Sequence, residues 1–199
     1  MSNKNLFFVP LIGAEVPEEL FNRYWSEVEA QLSRLEKIYG QINKLYHEGN
    51  YAKGEEGMQI IQKINERTHQ LFKSRIEKGA ELQDLEDKEL FWEIADCQLF
   101  LTFRFSSKSI LDKLSKITPE IYEAYKNAMK NRNEYIPKRV LDTLKEGETG
   151  ILLLREEERI KMQFPPEINL ILVRPPVLSD IEKWIREQEA KYAEDHEKE

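Results

Sequence analysis

Two aliphatic runs, Gly150-Ile-Leu-Leu-Leu154 and Ile168-Asn-Leu-Ile-Leu-Val173, constrain this chain more than any other stretch. They end abruptly, at Arg155 and at Arg174-Pro175-Pro176. Neither can span a bilayer, which needs about 20 apolar residues. Because consecutive rather than alternate positions are apolar, they read as strands buried on both faces. Such a sheet has to be covered by helices on both sides, and the upstream chain is mostly helical in pattern.

Leu6-Phe-Phe-Val-Pro-Leu-Ile12 reads as another strand, ended by Gly13. Pro10 cannot donate to a ladder, so this strand lies at an edge or is irregular at its carboxyl end. Pro17-Glu18-Glu19 opens a helix in which Phe21, Trp25, Val28, Leu32, Leu35 and Tyr39 alternate at spacings of four and three. The phase runs on through Ile42 and Tyr46, so two readings stand. Either one helix reaches Glu48, or the helix stops at Gly40 and Ile42–Glu48 is a strand. Gly54–Lys78 is expected as one helix capped by Gly79, and Ala80–Leu85 as a loop or short strand. The apolar-rich helix Lys88–Phe105 is expected to be central in the core. Thr118-Pro119 has the form of a helix start, Pro137 should kink or split that helix near Asn133, and Gly147 should cap its second piece. Ser179-Asp-Ile-Glu182 has the form of a capping box opening a last helix, with a charged, fraying tail from Glu194.

The expected fold is therefore α/β: a small, mostly parallel sheet of about five strands covered by long helices. The alternative is α+β, a helical bundle with a sheet made only of the first and last strands. At 199 residues the chain suits a single domain burying about 70% of its unfolded surface.

Charge narrows the partners. The formal net charge is −7, and Lys and Arg alternate with Glu, so no basic patch for nucleic acid stands out. One cysteine, Cys97, rules out an intrachain disulfide and fits a reducing compartment. Leu6–Ile12 lacks a small-residue cleavage site and makes a poor signal peptide, so a cytoplasmic protein that does not enter membranes is expected.

The usual nucleotide, Ser-nucleophile and thiol motifs are absent, and His47, His69 and His196 are the only histidines. His69 reads as a solvated helix residue, and Cys97 as an inert core thiol with no adjacent base. The strongest candidates come from placement. Open parallel sheets put their sites at strand carboxyl ends. If Ile42–Glu48 is a strand, His47 and Glu48 emerge there, as Glu86 does after Ala80–Leu85 and Arg155 and Arg174 do after the aliphatic strands; Glu15 follows the first strand. Carboxylates, an imidazole and guanidiniums on one rim could activate water, hold an anion, or bind a divalent metal through oxygens. If those segments are helices and loops, the same residues are ordinary surface charges.

Arg132-Asn133 followed by a helix and the Ile151–Leu154 strand resembles a block of the TraB/TIKI, ChaN and erythromycin-esterase-like superfamily. Phe7-Phe-Val-Pro-Leu-Ile-Gly-Ala-Glu15 and Leu45-Tyr-His-Glu48 are similar in placement to that group's first strand and its glutamate-bearing second strand. The resemblance implies an α/β fold and hydrolase-like chemistry, some of it metal-dependent. It gives Glu48 the carboxylate role, Arg132 an orienting role, and Glu15 a place near the first motif. The chain departs from the group in lacking a histidine after the first strand, where Gly13-Ala14-Glu15 stands. Arg155-Glu-Glu-Glu-Arg159 likewise replaces the expected Gly-x-x-His. Two functional expectations follow. One is a hydrolase-like or small-molecule-binding protein using Glu48, His47, Glu86 and Arg132 at the rim. The other is a degenerate, non-enzymatic interaction module, with a homodimer through an aromatic helix such as that of Tyr24 and Trp25 as a candidate assembly.

Overall fold

Double-sided burial puts the aliphatic run at Thr149–Leu154 in the middle of a sheet. The computed structural model of the chain describes residues 4–12 and 15–196, with side chains through residue 193. Gly13 and the last three residues of the expected tail lie outside the described residues. Elements run in the order β1 (Lys4–Pro10), α1 (Glu18–Tyr39), β2 (Ile42–His47), α2 (Gly54–Ile64), α3 (Glu66–Ile76) and β3 (Glu81–Leu82). They continue with α4 (Lys88–Thr102), α5 (Lys108–Thr143), β4 (Thr149–Leu154), α6 (Glu156–Arg159), β5 (Ile168–Leu172) and α7 (Val177–His196). The strands form one parallel sheet in the order β3-β2-β4-β1-β5. The fold is α/β, with helices on both faces, and the α+β alternative falls.

Side-chain alternation divides the core in two. Phe7, Val9, Leu45, Ile151 and Leu153 pack beneath α1, α3 and α7, whereas Leu6, Phe8, Tyr46, Leu152 and Leu154 pack against Ile136, Val140 and Leu144 at the end of α5. Pro10 is the last residue of β1, an interior strand; β5 has already left the ladder at Phe8–Leu172, so the missing N–H is tolerated. Gly40, at φ +94°, ends α1 and leaves Ile42–His47 to the sheet, which settles the choice between long helix and strand.

Several boundaries differ from the sequence reading. The helix expected over Gly54–Lys78 is two, because extended Asn65 ends α2 and its side chain accepts from the Arg67 and Thr68 amides as the N-cap of α3. The strand expected over Ala80–Leu85 pairs only through Glu81 and Leu82. Thr118 is not a cap: α5 runs unbroken through Pro119 and Pro137, and the Thr118 hydroxyl donates to the Leu114 carbonyl. The capping box at Ser179 is unused, since α7 starts at Val177, whose amide donates to the Glu27 carboxylate of α1. Lys88–Phe105 is not central in the core; within α4 only Cys97 is buried. Tyr24 and Trp25, the candidate dimer face, are buried under the sheet and cannot meet a partner. Among the described residues, no helix is long and apolar enough to cross a membrane.

Helix α2 passes close to the loop before it. A Cβ at Gly57 would stand 2.4 Å from the Ala52 carbonyl oxygen and 2.7 Å from Leu82 Cδ2. Gly57→Ala is therefore expected to lower stability by about 1–3 kcal/mol. Alanine at exposed Gln59 of the same helix should leave the thermal midpoint unchanged.

Candidate functional site

The two-residue period of β2 decides which rim residues meet. Leu45 and His47 point to the α1/α3 side, and Tyr46 and Glu48 to the α5 side. The Glu48 amide still donates to the Leu153 carbonyl at 2.8 Å, so its carboxylate is fixed at the strand's carboxyl end. Beyond β3, the Leu85 and Glu86 amides both donate to the Asn50 carbonyl. Asn50, fully buried, also donates through its side chain to the Ala52 and Gln83 carbonyls. This tie between the ends of β2 and β3 sets Glu86 beside Glu48.

Arg132 closes the group from above. Ala128, Arg132, Ile136 and Val140 recur every four residues on the buried face of α5, so the guanidinium continues an apolar stripe down to the sheet edge. Its Nε and Nη2 donate to the two Glu86 oxygens at 2.8 and 2.6 Å, a bidentate fork. Nη1 donates to Glu158 of α6 at 3.3 Å, and Nη2 reaches Glu48 at 3.5 Å. Arg155, directly after β4, donates its amide, Nε and Nη2 to Glu48 at 2.9, 3.0 and 2.7 Å. Lys161 holds the other Glu158 oxygen at 3.0 Å. Three carboxylates are thus matched by three cations.

Electrostatics lock these charges in place. Burial pushes the Glu48 carboxyl up, but the Arg155 hydrogen bonds and the charges of Arg155 and Arg132 outweigh it and hold it below the ordinary carboxylate range. Burial likewise works against a charged Arg132, yet the Glu86 hydrogen bonds and the three carboxylates raise its pKa further. Among the described residues, no group of three or more His, Cys, Asp or Glu is arranged to hold a metal ion. The carboxylates here turn to guanidiniums, so the divalent metal considered from the sequence finds no fitting donor set.

Against the cluster lies a cavity of ≈ 280 Å³, lined by the polar Glu48, Glu86, Arg132 and Glu158 and by the apolar Phe91, Ile94, Tyr125 and Met129. The structure brings together Glu48, Glu86, Arg132 and Arg155. It separates the others. His47 is fully buried on the opposite face of the sheet, edge-on to Phe72 at 6.1 Å, with its Nδ1 on the Glu48 carbonyl. Burial takes its pKa down to about 4, against weaker opposing contributions from the Glu48 backbone and charge. Arg174 is half exposed, paired with Glu182 at 3.0 Å in an adjoining cavity of ≈ 430 Å³, which Arg155 also lines. Glu15 is exposed in the connection after β1 and lines neither cavity. Sequence reasoning missed Asn50 and Glu158. Glu158 was hidden in the run Glu156-Glu157-Glu158, where only the short turn of α6 selects which carboxylate turns inward.

Known protein families, characterised proteins and solved structures contain no match to this chain.

Arg132→Met removes the cation shared by three carboxylates. A loss of about 3–5 kcal/mol in denaturant unfolding is expected, because the carboxylates stay buried and repel. Glu86→Gln in that background should recover part of it. His47 adds a pH dependence. Its folded pKa of about 4 lies below the ordinary 6.5, so the unfolded chain takes up the proton first. Its contribution is whole above pH 6.5 and is lost as pH falls towards 4, by roughly 3 kcal/mol in all. His47→Phe should flatten the stability profile across that window. The depressed Glu48 pKa contributes separately, with stability lost only below its ordinary value of 4.5.

Proposed function

We propose that this protein binds a small molecule in the cavity above the carboxyl edge of the sheet, on a scaffold of hydrolase-like ancestry. The observation that carries this reading is one cavity lined both by a rigid polar cluster and by apolar side chains. Glu86, Arg132 and Glu158 are buried and mutually fixed, and Phe91, Ile94, Tyr125 and Met129 line the same space of ≈ 280 Å³ with them. That is the usual composition of a ligand site, at the small end of the size range.

Binding is favoured over hydrolysis by the state of the carboxylates. A general base needs a pKa near the working pH and a free lone pair aimed at its proton. Glu48 accepts from three Arg155 donors and one of Arg132, and its pKa is depressed. His47, the other candidate base, faces the opposite core. The cavity therefore offers acceptors in fixed positions, with half-exposed Arg155 also in its lining. A ligand carrying hydroxyl or amine donors on an apolar ring or chain suits both kinds of lining.

The test is thermal unfolding against a panel of small hydroxylated and amine-bearing compounds, since a ligand of the native state raises the midpoint by mass action. Compounds that stabilise the wild type are expected to lose that effect in Met129→Trp, which fills the cavity, and in Glu48→Gln. If no compound stabilises the wild type, or if the shifts persist in both variants, the binding site is not this cavity.

A further inference from the structure

From residue 90 to residue 127, Cys97 is the only buried residue. Helices α4 and α5 pack on each other there as a hairpin, and seven large apolar side chains on it remain substantially exposed: Trp92, Leu99, Phe103, Ile110, Leu111, Ile117 and Tyr122. Trp92, Leu99 and Phe103 follow at spacings of seven and four, a single stripe of α4. At 45–64% exposure, Trp92, Leu99, Phe103, Leu111 and Tyr122 present on the order of 600 Å² of apolar surface, and Ile110 and Ile117 lie on a separate stripe of α5. That is at the upper end of what a monomer leaves uncovered, and most of the roughly 800 Å² each partner contributes to a stable interface.

Charge along the hairpin says what covers it. At its tip, residues 99–118, Arg104, Lys108, Lys113 and Lys116 face Asp112 alone, a net +3. At its base, residues 88–98 and 119–127, Glu89, Glu93, Asp96, Glu120 and Glu123 outweigh Lys88 and Lys126, a net −3. All of these charges are exposed. Two hairpins laid parallel would set like charges together; laid antiparallel, each +3 tip lies along a −3 base, twice over. The shapes agree as well. The tip carries an apolar groove of ≈ 370 Å³ lined by Phe100, Phe103, Leu111 and Leu114, and the base carries half-exposed Trp92 and Tyr122.

We infer that the occupant is a second copy of this chain, its hairpin packed antiparallel on this one as a two-fold four-helix bundle. Such a contact is isologous and closes on itself, so it stops at the dimer. Specificity comes from the tip-to-base charge pairing, and most of the stabilisation from the apolar stripes.

Light scattering and sedimentation of the full chain test this. The expected particle has twice the 23.7 kDa chain mass and dissociates more readily at high salt. Lys113→Glu with Lys116→Glu should raise the dissociation constant roughly tenfold or more. Adding Glu89→Lys and Glu93→Lys to the same chain should restore the dimer, because the tip and base signs are then both reversed; unchanged circular dichroism shows that each variant folds. A chain that stays monomeric at high micromolar concentration overturns the inference, as does one that instead sediments with phosphatidylserine vesicles. A dimer indifferent to the tip reversal, or not rescued by the base reversal, overturns the antiparallel arrangement.

Discussion

Removing a guanidinium from water costs several kcal/mol, and Arg132 is tolerable under the α5 roof only because carboxylates meet it at the sheet edge. That requirement reaches through much of the fold. Glu86 must stand where β3 ends, Glu48 where β2 ends, and Glu158 on the turn after β4. The Asn50 tie, the Gly49 amide on Glu86 and the Arg155 clamp on Glu48 all fix those three positions. A guanidinium fork accepts little angular error, so the cluster orients α5 on the sheet as well as neutralising charge.

The same geometry limits chemistry. Every carboxylate in the cluster is already held by a cation, and the one histidine near the rim lies beneath the sheet with its Nδ1 on a backbone carbonyl. The arrangement is built to stay ionised and stay put, which suits recognition better than proton transfer. Arg155 differs from the others in exposure: half exposed, it lines both cavities while its side chain holds Glu48.

Much of the sheet was legible because its strands are apolar on both faces, a pattern that helices and loops seldom copy. The first strand and the two aliphatic ones are legible within a few residues, whereas Ile42–Glu48 reads equally as helix and Ala80–Leu85 equally as loop; with those two as strands, Glu48, Glu86 and Arg155 follow from the rule for parallel sheets. What could not be read was facing. His47 and Glu48 look equivalent as neighbours in sequence, yet one residue of strand period sends them to opposite cores. Arg174 sits at a strand end like Arg155 but pairs with α7, whose start two residues before the apparent capping box depends on Glu27 of another helix. The prolines of α5 misled for a different reason: local propensity argues for a break at each, whereas packing of the Ile136 and Val140 stripe on the sheet keeps the carboxyl half of the helix in one line.

The strand order has a consequence for synthesis. β1 leaves the ribosome first, but its neighbours are β4 and β5, with Asn5 paired to Thr149 and to Asn169. β2 also leans on β4. A nascent chain that stops short of Thr149 therefore holds two apolar strands with their shared neighbour unmade, and Phe7, Phe8, Leu45 and Tyr46 lack their sheet partner until β4 emerges. The sheet thus depends on contacts of long sequence separation, the kind that form slowly. While the chain waits, the amphipathic α1–α3 segment is the part able to take up structure and shield the unpaired strands.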